Sequence, residues 1–429
     1  MGYLVTFLLI GLLILIHEMG HWFAAFRMGV KTLEFSLGFG PLLARITRKG
    51  MKFSFRAIMF GGFVRLKGLD EEEGKDDPDS YFVQPGWKKV VILVAGPVAN
   101  FFLAILFFYF VPLLFGETAL FPAITKVFPG SPAEKAGIPE SSIILSVNDQ
   151  SVNLPEIRSI VRHSGGAEIS LLIRSREGDS VYRVKPEKMN LEGQIIWGIG
   201  VQLKEIPFPT GLVNWVKPHS QLWKAGLRPG DRILQINDMP LEVFFAQSDT
   251  SHQFPLNLEW VDVQQKVHSA SLVITEKEYH SLQFQLYKKK VSPLSAFSRA
   301  GNLMLLITGK IGDFFADLIH GNKEALKQVA GPVGIFAYTL LAYQMGWDVL
   351  LLHFASISWV LGLMNLFPIP PLDGGRVVLL PLEMQKGRKK WGIWLSHMLQ
   401  AMGIALLLLL ILWITFMDIV KIRSGEVLP

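Results

Sequence analysis

The sequence predicts a polytopic α-helical membrane protein, with about four transmembrane helices and a soluble α+β insert between the second and third. Three observations carry this. Half of the 429 residues are hydrophobic. Many of them gather into runs near the roughly 20 residues that a bilayer span requires. Between two of those runs the composition turns to that of a β-rich globular protein, and there the chain repeats itself.

The runs are residues 3–26, 90–115, 347–367 and 393–417. The first is too long for a signal peptide and no small-residue cleavage site follows it, so it is expected to stay in the mature chain. Cysteine is absent, which excludes disulfides, thiolate metal sites and cysteine nucleophiles. The net charge of +6 falls mainly in loops that flank the runs, which is a topology signal and points to no nucleic-acid partner. Loops 27–89 and 376–390 hold twelve and five Lys or Arg residues. Both are expected on the cytoplasmic side, with segment 116–346 and both termini outside. The acidic stretch 70–79 reads as a solvated loop.

Within the insert, GSPAEKAGIPESSIILSVNDQSV (130–152) aligns without gaps on HSQLWKAGLRPGDRILQINDMPL (219–241). Ser131 matches Ser220, Ala136-Gly137 matches Ala225-Gly226, and Asn148-Asp149 matches Asn237-Asp238. A repeat at one offset means a duplicated structural unit. The first copy departs from the second at Ser141-Ser142, where the second has Gly230-Asp231. Residues 293–330 are apolar in patches but interrupted by Arg299, Lys310, Asp313 and Asp317. They read as an amphipathic helix on the outer membrane face.

The chemistry lies in the first and third runs. His17 and His21 are one helical turn apart, so both imidazoles project from one face and can bind one metal. Glu18 is next to that face, within reach of a water held there. Zinc suits two nitrogens and a carboxylate with one position left open. Ionisable side chains inside a span are costly and mark a function. A third ligand has to come from another span at the same depth. In LGLMNLFPIPPLDGGRV (361–377), three prolines break the helix and Asp373 follows directly. Spans one and three run in the same direction, so the inner part of one meets the inner end of the other. His353 lies 20 residues before Asp373 and is too far along the helix to share the site. Phe53, Phe55, Phe63, Arg65 and Lys67 alternate around Gly61-Gly62, which reads as a hairpin, preceded by the glycine-rich bend SLGFGP (36–41). Spans two and four are almost free of polar residues, and Asn100 is the main exception.

The pair His17-Glu18-x-x-His21 and Asn365-x-x-Pro368-x-Pro370-x-Leu372-Asp373-Gly374 resembles the site-2 protease family of intramembrane zinc metalloproteases. AGLRPGDRILQIND (225–238) resembles the PDZ signature. Two such units between the second and third spans, with AGPVANF (95–101) and GPVGI (331–335), look like the bacterial regulator of sigma-E protease branch. The resemblance implies one zinc per chain held by His17, His21 and Asp373, Glu18 as general base, and Asn365 holding substrate or the developing oxyanion. It implies a re-entrant β-hairpin or sheet near the metal, with Gly38, Gly40, Phe63, Val64, Arg65 and Leu66 as the substrate-binding region.

The expected domains are membrane core 1–115, a first PDZ domain 116–205, a second 206–291, the amphipathic segment 292–346 and membrane core 347–429. The implied partners are the lipid bilayer, single-span substrates such as an anti-sigma factor, and remnant signal peptides. The implied location is the inner membrane, with the PDZ pair outside as a size filter. A catalytically silent PDZ scaffold is the alternative, and it predicts that Glu18→Gln leaves function intact.

Overall fold

The structure, a computed structural model, describes residues 2–48, 50–68, 77–150, 153–191, 194–246, 255–274, 282–322, 329–384 and 390–424. Most of the acidic stretch 70–79 and part of loop 376–390 lie outside these. The chain divides into two compact units, residues 1–114 with 291–429, and residues 115–290. Among the described residues, four helices are long and apolar enough to cross a membrane: Gly2–Arg27, Gly86–Phe115, Trp347–Leu366 and Trp394–Lys421.

The first unit begins with α1 (Gly2–Arg27), followed by β1 (Thr32–Arg48) and β2 (Met51–Leu66). The hairpin does not turn at Gly61-Gly62 as the sequence suggests. The chain reverses between Arg48 and Met51, with Gly50 at φ +78°, and both Gly61 and Gly62 lie inside β2. The strands bend, so that residues 34–37 pair on one side with 62–65 and on the other with 52–55. Residues 62–66 therefore form an edge. In the centre the buried Glu34 carboxylate accepts from Ser54 Oγ at 2.6 Å and from Arg56 Nη2 at 3.0 Å, so its charge is paired. Helix α2 (Gly86–Phe115) follows and buries Gly96 and Asn100.

Among the described residues the second unit holds two larger sheets built on one plan, beside two short two-stranded ribbons. The first contains β3 (Leu120–Val127), β4 (Ser142–Val147), β5 (Ile169–Ser175), β6 (Gly178–Val184) and β7 (Val201–Pro207), in the order β7-β3-β4-β5-β6. Ile157 and Val161 of α3 (Leu154–His163) join its core. The second contains β8 (Pro209–Trp215), β9 (Arg232–Ile236), β10 (Leu256–Val261), β11 (Val267–Leu272) and β12 (Gln283–Leu286), with main path β11-β10-β9-β8-β12. The short α4 (Leu241–Phe245) packs into that core.

The sequence repeat is a repeat of local physics. Ser131 Oγ and Ser220 Oγ each cap a helical turn, accepting from Glu134 N and Trp223 N, both at 3.2 Å. Asn148-Asp149 and Asn237-Asp238 all have left-handed φ, between 48° and 62°, which is the two-residue hairpin turn. Asn148 Oδ1 accepts from Ser170 N, and Asn237 Oδ1 from Asn257 N. Where the second copy has Gly230 at φ +96°, the first keeps a left-handed residue, Ser141 at +52°. The departure in sequence leaves the turn in place. Arg174 of β5 ties the two halves together, donating from Nη1 to Glu242 Oε1 of α4 at 2.8 Å.

The chain then returns to the first unit through α5 (Pro293–Ile319), α6 (Pro332–Met345), α7 (Trp347–Leu366), α8 (Asp373–Glu383) and α9 (Lys390–Ser424). Sequence reasoning lays segment 293–330 on the outer membrane face. In the structure α5 lies lengthwise beside α7. Trp359 Nε1 donates to Thr308 Oγ1 at 3.0 Å, and the Phe315 and Phe367 rings stack with centroids 4.6 Å apart. Both pairs ascend together, so the two helices run in the same direction. Helix α6 is apolar on all sides and, at 14 residues, too short to span. The Phe336 ring stacks on Tyr3 of α1. His353 of α7 faces Thr339 Oγ1 of α6 at 3.1 Å, away from the histidine pair.

Candidate metal centre and active site

The two histidines of α1 converge on Asp373, the first residue of α8. His17 Nε2 and His21 Nε2 are 3.1 Å apart, and each lies 3.3 Å from Asp373 Oδ2. A tetrahedral metal with ligand arms of about 2.0–2.1 Å sets its ligand atoms roughly 3.3 Å from one another. The triangle fits such an ion. Asp373 Oδ2 is buried and makes no satisfactory hydrogen bond among the described residues, which is the state of a ligand atom. Among the described residues these three form the one cluster with metal-binding spacing.

Close backbone approaches bring Asp373 there. A β-carbon on Gly374 would overlap the Leu366 carbonyl, and one on Gly375 would overlap the Ile369–Pro370 peptide. The Pro-rich loop folds flat over the start of α8, and only glycine permits it. Helix α2 is equally close on the other side. A β-carbon on Gly96 would fall on His21 Nε2 and 2.8 Å from His17 Cε1. The Ile92 carbonyl of α2 lies 2.8 Å from His21 Nδ1, so that nitrogen donates and Nε2 is left for a metal. One turn beyond Gly96, the Asn100 amide lies 3.3 Å from His17 Nδ1.

Glu18 and the edge of the sheet share a cavity of about 250 Å³ with His17, His21 and Asp373. Its lining includes Gly62, Phe63, Val64 and Arg65 of β2, with Tyr81 and Arg376. Val64 lines the cavity alongside Glu18. Gly62 lets the strand approach, since a β-carbon there would sit 3.2 Å from Glu18 Cγ. Arg56 covers the Phe63 ring, 5.4 Å from its centroid, and holds Ser36 Oγ and the Gly40 carbonyl.

The structure brings His17, Glu18, His21, Asp373, Phe63, Val64 and Arg65 into one cavity, and leaves four expected residues outside it. Leu66 packs in the core with Ala24, Ala25 and Tyr81. Gly38 and Gly40, at φ +89° and +76°, make the bend of β1. Asn365 lies half-buried in the last turn of α7 and does not line the cavity. Sequence reasoning missed Tyr81 and Arg376. Tyr81 is held by its backbone N–H on the Lys67 carbonyl, and Lys67 in turn pairs with Asp77 and Asp79. Burial pushes the Tyr81 phenol up to about 12, so it stays a neutral donor. Arg376 follows Asp373 by one turn of α8, a spacing that could have flagged it.

The profile of peptidase family M50 matches residues 5–410. The chain belongs to this family, the site-2 proteases. It is 29% identical to a "Putative zinc metalloprotease" of Thermotoga maritima over an alignment covering 95% of this chain and 96% of the relative. It is 29% identical to "Protease RseP" of Yersinia pestis, covering 88% and 89%, and 28% identical to "Regulator of sigma E protease" of Haemophilus influenzae, covering 96% and 97%. The family makes the chain a metalloprotease of the site-2 type, and the four apolar helices make it a multi-pass membrane protein.

Proposed function

We propose that this chain is a zinc-dependent intramembrane endopeptidase, with one zinc held by His17, His21 and Asp373. Its substrates are single-span membrane proteins already trimmed outside the bilayer. An anti-sigma factor is the leading substrate, in keeping with relatives named for sigma E, and remnant signal peptides come second. The enzyme sits in the inner membrane with its active site toward the cytoplasm, as the Lys/Arg-rich loops 27–89 and 376–390 indicate. The two sheets of the insert are a tandem PDZ pair on the outer side, and they exclude substrates with bulky outer domains.

The observation that carries the reading is the meeting of the 3.1–3.3 Å triangle of His17, His21 and Asp373 with Glu18 and the strand edge 62–65 in one cavity. Zinc, when bound, supplies Lewis-acid polarisation of a carbonyl and a more acidic water. Glu18 takes the proton from the attacking water and returns it to the leaving nitrogen. Tyr81 and Arg376 face the same space as neutral donor and cation. A helical substrate has to unwind before its peptide bond is reachable, and the edge strand 62–66 offers backbone partners to the freed groups.

Co-expression with a truncated single-span reporter tests this. Glu18→Gln is expected to stop cleavage with zinc retained, and Asp373→Asn to lose both. Continued cleavage by Glu18→Gln would refute the mechanism and favour a silent scaffold.

A further inference from the structure

Helix α2 presents three positions four residues apart to the histidine pair. The Ile92 carbonyl takes the Nδ1 proton of His21, Gly96 leaves room for both rings, and the Asn100 amide meets His17 Nδ1 at 3.3 Å. Asn100 is 1% exposed, in a span almost free of other polar side chains. Its backbone carbonyl accepts from Ser358 Oγ of α7 at 2.8 Å, so the residue is fixed independently of its side chain. Its Oδ1 has no partner among the described residues.

We propose that Asn100 is the positioning residue for His17: its amide oxygen accepts the Nδ1 proton and so fixes the tautomer in which Nε2 can ligate a metal. The inference rests on the zinc-site reading above. A neutral imidazole carries one N–H. His17 Nε2 points at Asp373 Oδ2 and His21 Nε2, where a lone pair is needed, so the proton belongs on Nδ1. An amide N–H facing that nitrogen would set donor against donor. The two ends of an amide have the same shape, and a half-turn about χ2 brings Oδ1 onto Nδ1 in the same volume. That turn also gives the unpartnered oxygen a donor. Helix α2 then does for His17 with a side chain what it does for His21 with a carbonyl, and both ligands are oriented from one helix face.

The test is zinc affinity of the purified full-length chain, by chelator competition at one pH, for the wild type, Asn100→Leu, Asn100→Asp and His17→Ala. Leucine has the same number of side-chain heavy atoms and the same branching but no acceptor, so affinity is expected to fall about 10- to 100-fold. Aspartate restores an acceptor and is expected to bind within about threefold of wild type, as in carboxylate–histidine–zinc arrangements. Wild-type affinity in Asn100→Leu, or an equal loss in Asn100→Asp, overturns the proposal. Metal-free melting temperatures check folding, and if the leucine variant unfolds, Asn100→Ala carries the same expectation. A wild-type chain without zinc, or His17→Ala with undiminished affinity, would instead overturn the zinc-site reading itself.

Discussion

Gly96 of α2 lies flat against the His21 imidazole, with no room between them for a β-carbon. The ring cannot retreat, because its Nδ1 is held by the Ile92 carbonyl and its Nε2 faces Asp373. Gly96→Ala is therefore expected to push His21 out of the ligand triangle. Zinc content should drop at least tenfold and cleavage should vanish, although alanine is the better helix former. A Gly96→Ala protein with full zinc and full activity would show that the approach is not tight.

Val64 of β2 lines the cavity beside Glu18. Proline at this position removes one backbone N–H from the strand edge. Val64→Pro is expected to lower kcat/KM at least tenfold with zinc stoichiometry unchanged, measured on a detergent-solubilised single-span substrate. Equal loss of metal would mean that the strand supports the ligands rather than the substrate. Leu66 is unsuitable for this experiment because it belongs to the core.

The candidate metal-binding residues were legible in the sequence for a simple reason. His17, Glu18, His21 and Asp373 are ionisable groups where apolar ones are expected, and helical spacing sets their faces. Asn100 stood out equally, but nothing in a single span says which neighbour it faces, so its place beside His17 needed the fold. The turn near Gly50 was hidden by the more conspicuous Gly61-Gly62, whose glycines serve close approach to Phe39 and Glu18 instead. Helix α6 escaped notice because it is apolar all round and too short to register as a span. Asn365 was placed in the site by resemblance alone, and the cavity does not include it. The Asn-Asp turns and serine caps of the insert were readable because their chemistry is local.

Arg174 links the two halves of the insert through Glu242, while Asp179 on the neighbouring strand of its own sheet holds its guanidinium. Its hydrogen bond keeps the Asp179 carboxyl below the usual range, against the opposing effect of burial. A carboxyl lowered on folding stabilises above its unfolded value near 3.9, and the stabilisation fades as pH falls through the lower folded value. Arg174→Ala is expected to lower the melting temperature at pH 7, by an amount equivalent to on the order of 0.5–1 kcal/mol for partly exposed pairs. The gap from wild type should narrow as pH falls below the unfolded value and through the lower folded one. A constant gap across that range would place the effect in packing.

Asp418 of α9 binds the start of α6, accepting from Gly334 N at 2.7 Å and Gly331 N at 3.2 Å. It is 3% exposed, in a helix long enough to span, where no water replaces a lost acceptor. The helix dipole adds to the attraction, since a carboxylate at a helix N-terminus meets unpaired N–H groups. Asp418→Ala leaves two buried donors unsatisfied and is expected to destabilise the detergent-solubilised protein by about 1–3 kcal/mol. Asp418→Asn keeps one acceptor oxygen and should lose less. Zinc stoichiometry should stay at the wild-type value in both, because the ligands come from α1 and α8. Loss of zinc in Asp418→Ala at temperatures well below its melting point would mean instead that α6, through its contact with α1, helps set the position of His17 and His21.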